Sequence, residues 1–552
     1  MSAIAGLVLR GRRVPDAAPL EALSAALAHR GPASGPPVLG PGLGLVGRGL
    51  PTEPLSAGAA TLVASHLLAA PEALRAAQGL PEARDAELPL LLYRRRGLDF
   101  GAVLGGAHAL AVADHAMRRL VLARDAFGLA PLYFAETSLG VAFASEPAAL
   151  IAAGFATPRL RPAARDELLQ LRFTTGAETI FEGIQRVLPA ECLAIAGGAI
   201  VERRRAPPLP EGGPEAISEP EALARFEAAF LASLAARLEG PTPGLLLTGG
   251  AGAAALVAGV ARLGLPPLPA FAPVLEGQAA PGDAIPVPVT RDAFWACLPV
   301  LAQALDDPSA EPAHVLHWLL AEAARGQVPA LLAPDGSSEL LAGHGRHRAA
   351  MRPWWLWGRA MRARGAFDRL ETLGIEPRAW RDGIAAAETA EAGSGRSRLQ
   401  VAQAVDMGDW LTNGLLAGLD RCCARHGIEA RAPFLDAGVV AATFRLPDAL
   451  KVRGGEGKHL LRRWLGTPSP RTAPRLPIGA WLEAEAARLA PLVARQPGVA
   501  EICRPGRAEA LFRRATDRRA GAAAWNLLFY ALWHRAHVEG VAPRGDAFEA
   551  LS

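Results

Sequence analysis

The rhythm of hydrophobic and polar positions changes once along this chain. From residue 1 to about 195, apolar residues fall in short runs broken by Gly and Pro, as in Arg119-Leu-Val-Leu-Ala123 and Leu139-Gly-Val-Ala-Phe-Ala144. Short runs bounded by turn formers predict strands, and a series of them predicts a β-rich layered domain. Pro207, Pro208, Pro210 and Pro214 then crowd together with Gly212 and Gly213. Proline fixes φ and removes a backbone donor, so this stretch predicts a connection that is neither helix nor strand. The Arg203-Arg204-Arg205 run beside it reads as solvated linker. Beyond it, Leu223, Phe226, Phe230 and Leu234 recur at steps of three and four, the face of a helix. Gly244 to Leu247 is a short apolar strand running into Thr248-Gly249-Gly250, and a helical pattern follows from Ala253 to Leu263. Helix, strand, glycine-rich turn and helix is the order of an α/β nucleotide-binding unit. The remainder is mostly helical, closing on an amphipathic segment from Trp525 to Val538, and no tandem repeat is visible. The pattern therefore predicts an α/β protein with a first domain over 1–200, a Pro/Gly-rich linker over 201–218 and a second domain over 219–552.

Composition agrees with two domains. The chain has 552 residues, 51% hydrophobic and 20% charged, too long for one core and apolar enough for two. Its 58 basic and 54 acidic side chains are spread evenly, which excludes the concentrated basic surface of a nucleic-acid binder. No window is long and apolar enough to span a membrane, and the first residues do not form an export signal, so a cytoplasmic protein is expected. The five cysteines form no CxxC pair, which indicates neither a disulfide frame nor a zinc site. Only Lys451 and Lys458 are lysines; every other cationic side chain is arginine.

An enzyme that attacks with its own N-terminal residue needs a small nucleophile at position 2, with the freed α-amine as base. Ser2, followed by Ala3-Ile4-Ala5-Gly6, offers that residue type. Downstream come Ala28-His-Arg-Gly-Pro32, Arg48, Arg124-Asp125, Gly128-Leu129, Pro131-Leu-Tyr133 and Ala144-Ser-Glu146. In this order the segments resemble a class II glutamine amidotransferase domain. Thr179 to Gly183 with Leu188-Pro189 is similar to the hairpin that ends that domain in asparagine synthetases. The resemblance implies an Ntn-type αββα-layer fold. It also exposes losses. The family has cysteine where Ser2 stands, and a serine hydroxyl ionises far less readily than a thiol. Its oxyanion-stabilising Asn-Gly pair is replaced by Ser65-His66. Arg48 and Asp85 match the positions that hold the carboxylate and amine of glutamine. What is implied is a remnant glutamine pocket without glutaminase chemistry, in which Ser2 is inactive and Arg48 and Asp85 serve the fold.

A synthetase that adenylates a carboxylate cradles pyrophosphate on backbone N–H groups at a helix N-terminus and supplies carboxylates for magnesium. The second domain resembles the PP-loop domain of asparagine synthetases, an adenine-nucleotide-hydrolase-like fold with a helical C-terminal part. Where that family has Ser-Gly-Gly-x-Asp-Ser-Ser, this chain has Thr248-Gly249-Gly250-Ala251-Gly252-Ala253-Ala254. The backbone cradle of Thr248, Gly249, Gly250 and Gly252 is kept, while the aspartate and both hydroxyls are absent. The family's Gly-(Glu/Asp)-Gly-x-Asp-Glu reads Pro334-Asp335-Gly336-Ser337-Ser338-Glu339 here. Asp335, Gly336 and Glu339 match; Ser338 replaces a magnesium aspartate. Asp307-Pro308-Ser309 with Pro312 also fits. The helix that the family inserts between the strands near Ala270-Phe271 and Ile285 to Thr290 is replaced by a short Gly/Pro-rich stretch. Asp409-Trp410-Leu411, Leu415 to Arg421 and Gly427 to Asp436 match closely, with Asp420, Arg421, Glu429, Arg431 and Asp436 read as internal ion pairs. Trp481 and Trp533 match tryptophans of its closing motifs. Gly457-Lys458-His459 matches the stretch that carries the family's catalytic lysine, whose compact ammonium stabilises charge during acyl transfer.

The resemblance implies ATP and Mg2+ as cofactors, with Asp335 and Glu339 as the remaining metal ligands and binding weakened by the lost carboxylates. Two functions follow. One is an ATP-dependent amide ligase that attacks with an amine of its own substrate, resembling lasso-peptide cyclases and β-lactam synthetases, with Lys458 and Asp335 in catalysis. The other is an inactive relative that serves an active paralogue as partner or peptide-binding scaffold. A hydrolase at Ser2 lacks oxyanion donors. His344 and Arg346 are residues around which a nucleotide site could be rebuilt. The expected ligand is a small molecule or peptide, without nucleic acid or membrane, and a homodimer is left open.

Overall fold

The computed structural model describes the whole chain except residues 1, 34, 50–54, 58–59, 66–70, 207, 357, 378 and 467–474. The N-terminal domain is two six-stranded sheets lying face to face. One runs, edge to edge, Ile184–Arg186, Tyr133–Glu136, Gly140–Ala144, Ser2–Leu9, Leu43–Gly49, Val38–Gly40; the other runs Ala199–Arg205, Glu191–Ala196, Arg119–Arg124, Ala109–Asp114, Ala60–Ser65, Leu55–Ala57. Every pairing in both sheets is antiparallel. Ile4, Val8, Leu45, Phe134 and Phe143 of the first sheet meet Val63, Leu122, Leu193 and Ile195 of the second. Alternate residues of the first strand, Ala3, Ala5 and Leu7, point the other way and pack with Leu20 and Leu23 of the helix Ala17–Ala26. The helix Leu88–Arg96 covers the second sheet through Leu90, Leu92 and Tyr93. Because helices cover both outer faces, strands that would alternate in an open sheet read as continuous apolar runs. This is the αββα layering expected.

One expectation fails here. Arg203-Arg204-Arg205 is not linker but the end of an edge strand, in register with Leu193, Cys192 and Glu191. Strand pairing tolerates charged side chains that point to solvent, and a cationic edge resists further strand addition. The chain leaves the sheet only as the prolines begin.

The second domain holds a five-stranded parallel sheet in the order Ile285–Pro288, Ala270–Val274, Gly244–Leu246, Ala330–Leu332, Glu429–Arg431. The chain winds outward from the central strand in one direction, then returns to wind in the other. The reversal lies between Gly244–Leu246 and Ala330–Leu332, and ligands of such sheets bind beyond the C-terminal ends of the strands at that point. Between Val274 and Ile285 there is loop and no helix, as read from the sequence.

The helix Glu219–Leu238 buries the expected Phe226, Phe230 and Leu234, with Leu223 half-buried, and Ser218 caps its first turn. The final long helix, Arg518–His537, departs from the amphipathic expectation: every residue from Ala523 to His534 is buried. It packs against Arg291–Ala304 and several shorter C-terminal helices, so it has no solvent face. Trp525 and Trp533 donate their indole N–H to the carbonyls of Ala310 and Leu305 at 2.6 and 2.9 Å. None of the described helices is long and apolar enough to cross a membrane.

The two domains are joined by a buried ionic seam. Arg186 forks onto Asp307 at 2.6 and 2.7 Å, and the Tyr133 hydroxyl donates to the same carboxylate at 2.9 Å. Arg421 donates to Asp306 through Nε and Nη2, both at 3.0 Å. Arg30 bridges Glu146 and Asp420. Three arginines thus face four carboxylates out of water, where each must be paired to be tolerated. This accounts for Asp420, Arg421 and Asp307 as structural residues.

Candidate functional site

In the N-terminal domain the expected residues are held as follows. Ser2 lies in the first strand opposite Gly49 and is only 3% exposed. Arg48 turns its Nε to the carbonyl and hydroxyl of Ser24, at 2.5 and 3.1 Å, and its Nη1 to the carbonyl of Gly31 at 3.1 Å. These donors tie the helix Ala17–Ala26 to the loop that follows it. Asp85 forms a surface ion pair with Arg75, a contact of small energetic weight. Both residues are thus engaged by groups of the protein. Ser65 ends a strand, and His66 lies outside the described residues. Arg124 and Asp125, read only as motif members, pin one loop: Arg124 donates to three backbone carbonyls, and Asp125 accepts three backbone N–H groups.

In the second domain the expected residues converge. Thr248-Gly249-Gly250 follows the central strand, and Gly249 and Gly250 have φ of 93° and 77°, a region that suits glycine. The turn opens the helix Gly250–Arg262, whose first backbone N–H groups lack partners within the helix, as in anion-binding turns. Asp335-Gly336 follows the neighbouring strand, with φ of 89° at Gly336. A Cβ at Gly336 would meet the Leu435 side chain at 2.5 Å, so the turn is also closed sterically.

At Gly252, where the family has aspartate, a Cβ would overlap the Ser337 hydroxyl and touch Pro334 Cβ at 3.2 Å. Ser337 has filled the space. Its Oγ in turn accepts from Lys458 Nζ at 3.0 Å. Lys458 is a left-handed non-glycine residue, φ 59°, at the start of the helix His459–Leu465, and its N–H donates to the carbonyl of Leu341 at 2.7 Å. A Cβ at Gly343 would meet Lys458 Cε at 2.7 Å, so that glycine makes room for the stem. Burial lowers the ammonium to about 8, while Glu339 and Asp335 pull it back upward.

Asp335 and Glu339 lie in different surroundings. Burial, then the charge of Glu339, raises Asp335 to about 7, and its Oδ2 has no hydrogen-bond partner. Burial would raise Glu339 too, but His344 and Arg346 hold it below the usual carboxylate range. Its Oε1 is engaged by His344 Nε2 at 2.5 Å. Magnesium needs anionic oxygens free to coordinate. Here Asp335 keeps an unpartnered oxygen, Glu339 is paired with His344, and the third position is Ser338. Among the described residues no group of three or more His, Cys, Asp or Glu could hold a metal.

Behind Glu339 lies a cluster that sequence reasoning largely missed. Asp406, 1% exposed, accepts from His347 at 2.6 Å and Arg346 at 2.5 Å, with Arg362 at 3.6 Å. Despite burial, the Arg346 charge, the His347 hydrogen bond and Arg362 hold it far below the usual carboxylate range. Arg346 lies over the Trp410 ring at 4.1 Å, His344 meets that ring edge-on at 4.9 Å, and Trp410 donates to Glu311 at 3.0 Å. Only the Trp410 motif and the isolated His344 and Arg346 gave any signal. Lys451, expected to have no catalytic role, is fully buried and donates to Gln403 at 2.9 Å; Gln403 donates to the carbonyls of Glu339 and Leu340, both at 2.6 Å. Glu429 and Asp436 pair with Arg431 and Arg237 at 2.9 and 3.2 Å.

Comparison with known proteins agrees with this architecture. The asparagine synthase family model matches residues 226–535, and a glutamine amidotransferase domain model matches 72–205. A Mycobacterium bovis protein assigned as a glutamine-hydrolysing asparagine synthetase is 26% identical over 533 residues, covering 82% of this chain and 80% of its own. Asparagine synthetase 1 of Bacillus subtilis, also glutamine-hydrolysing, is 23% identical over 431 residues, covering 69% and 68%. Glutamine phosphoribosylpyrophosphate amidotransferase from B. subtilis is a structural neighbour at 14% identity and a TM-score of 0.26, over 48% of this chain and 64% of its own. The chain belongs to the asparagine synthetase family, an ATP-dependent synthetase family with a glutamine amidotransferase domain.

Proposed function

We propose that this protein is a non-catalytic member of its family, a cytoplasmic scaffold that binds a peptide or small molecule on behalf of an active paralogue. The observation that carries this reading is the closed phosphate site. His344 engages Glu339, Ser337 fills the space beside Gly252, and Ser338 stands in place of a carboxylate. Phosphoryl and adenylyl chemistry depends on metal-neutralised phosphates, and Gly252 and Ser338 stand where the family has carboxylates for the metal. The N-terminal domain offers a buried Ser2, with Arg48 and Asp85 bound to protein groups. The test is pyrophosphate exchange with magnesium–ATP and a panel of carboxylates and peptides, alongside calorimetry with magnesium–ATP. Absence of exchange and absence of low-micromolar binding are expected. Carboxylate-dependent exchange would overturn the reading.

One observation favours the second reading, an amide-forming ligase or cyclase that adenylates a carboxylate and closes it with an amine of the same substrate. Lys458 is still held beside the backbone cradle, with its ammonium lowered to about 8. In that case exchange occurs, and Lys458→Met loses amide formation.

A further inference from the structure

A cavity of about 460 Å³ lies between the helices Arg291–Ala304, Ala313–Ala324 and Ala417–Arg425 of the second domain. Arg325 and His426, which line it, sit in the turns that enter the strands Ala330–Leu332 and Glu429–Arg431. The glycine-rich turn and Asp335 instead follow the C-terminal ends of strands in the same parallel sheet. The cavity is therefore on the opposite edge of the sheet from the phosphate site and is no part of it.

Two features suit it to a ligand, an aromatic wall and a cationic mouth. His426 is 9% exposed, yet neither ring nitrogen has a hydrogen-bond partner. Both nitrogens are buried beneath the cavity surface, so the imidazole contributes to the wall by its ring. Burial and the charge of Arg325 lower this imidazole to about 4, so it adds no charge to the wall at neutral pH. Trp318 meets His426 edge-on, with ring centres 4.6 Å apart, and extends an apolar wall formed with Leu319 and Val300. At the mouth, neither Arg325 nor Arg425 is paired with a carboxylate among the described residues, although Glu322 lines the same cavity. Two guanidinium groups and one carboxylate leave a single positive charge, suited to a monoanion, and guanidinium groups recognise carboxylates by paired hydrogen bonds.

We propose that this cavity is a second binding site, for a small organic carboxylate with a ring or branched apolar body. The carboxylate meets Arg425 and Arg325, and the body lies on Trp318 with His426 beside it. The volume is in the range of small-molecule sites.

The test uses the full chain and 3-phenylpropionate as probe, by isothermal titration calorimetry. Binding with a Kd of about 1 mM or tighter is expected. The uncharged 3-phenylpropanamide binds about tenfold more weakly or worse, as does Arg425→Gln, because each removes one charge-assisted contact. Ala296→Trp, at an exposed position lining the cavity, fills it and abolishes binding. Thermal unfolding verifies that each variant folds, and Ala296→Trp remains decisive if Arg425→Gln does not. No heat from 3-phenylpropionate at about 10 mM overturns the proposal. So does equal binding of the amide, or binding unchanged in Ala296→Trp.

Discussion

Gly252→Ala measures how completely Ser337 has taken over the position of the lost aspartate. Glycine near the start of a helix is disfavoured relative to alanine, so on propensity alone the change stabilises by about 0.5–1 kcal/mol. The structure predicts the opposite sign. The new Cβ overlaps the Ser337 hydroxyl, which must rotate away from Lys458. A hydrogen bond from a charged donor contributes about 1.5–3 kcal/mol. The contact of the new Cβ with Pro334 Cβ, at 3.2 Å, is tight but tolerable. The difference is a net destabilisation of roughly 0.5–2.5 kcal/mol. Urea unfolding of wild type, Gly252→Ala, Ser337→Ala and the double variant forms a cycle that isolates the pair. In the Ser337→Ala background the same glycine change is expected to be neutral or stabilising, because the obstructing hydroxyl is gone. A stabilising Gly252→Ala in the presence of Ser337, or an equal cost in both backgrounds, refutes the reasoning. The same geometry means that Gly252→Asp alone does not restore nucleotide binding.

Asp307→Ala leaves the Arg186 guanidinium buried without its forked partner, and a loss of about 3–5 kcal/mol is expected; faster limited proteolysis near residues 206–218 is the readout. Lys451 is lowered from 10.5 to about 7 by burial, so between those values the unfolded chain binds more protons and stability rises with pH. Lys451→Met removes that rise, and the difference between wild-type and variant urea midpoints from pH 7 to 10 reads it. Asp335 has the opposite sign: burial raises it from 3.8 to about 7, so its contribution is lost as pH climbs through that window. Asp335→Asn therefore gains on wild type from pH 4 to 7 and stays level above; a flat difference in melting temperature would refute the assignment.

Local pattern was enough to recognise much of this protein. The stripe of Phe226, Phe230 and Leu234 buries itself because side chains three and four apart share a helix face. The missing pocket helix is a matter of chain length between two strands. The order of strand, glycine-rich turn and helix identifies the anion cradle, because backbone N–H groups at a helix start need only glycine's freedom to be presented. The losses at Ser2, Gly252 and Ser338 are visible in residue type alone, since a thiol or carboxylate is either present at a position or not.

Other features depended on contacts between distant segments. Arg203 to Arg205 resembles linker in composition and is strand because Glu191, Cys192 and Leu193 pair with it. The Trp525 helix was expected to have a wet face, yet neighbouring helices surround it. Arg48 and Asp85 could equally have lined a pocket; only the fold brought Ser24, Gly31 and Arg75 against them. Glu339 was a metal ligand by motif, and only the fold brought His344 onto its carboxylate and Asp406 onto Arg346 and His347. The sequence by itself determined the two-domain architecture and which reactive groups are absent, because these follow from residue identity, chain length and local periodicity. The tertiary structure decided what fills the space those groups left, since hydrogen bonding and desolvation depend on residues that only folding brings within a few ångströms.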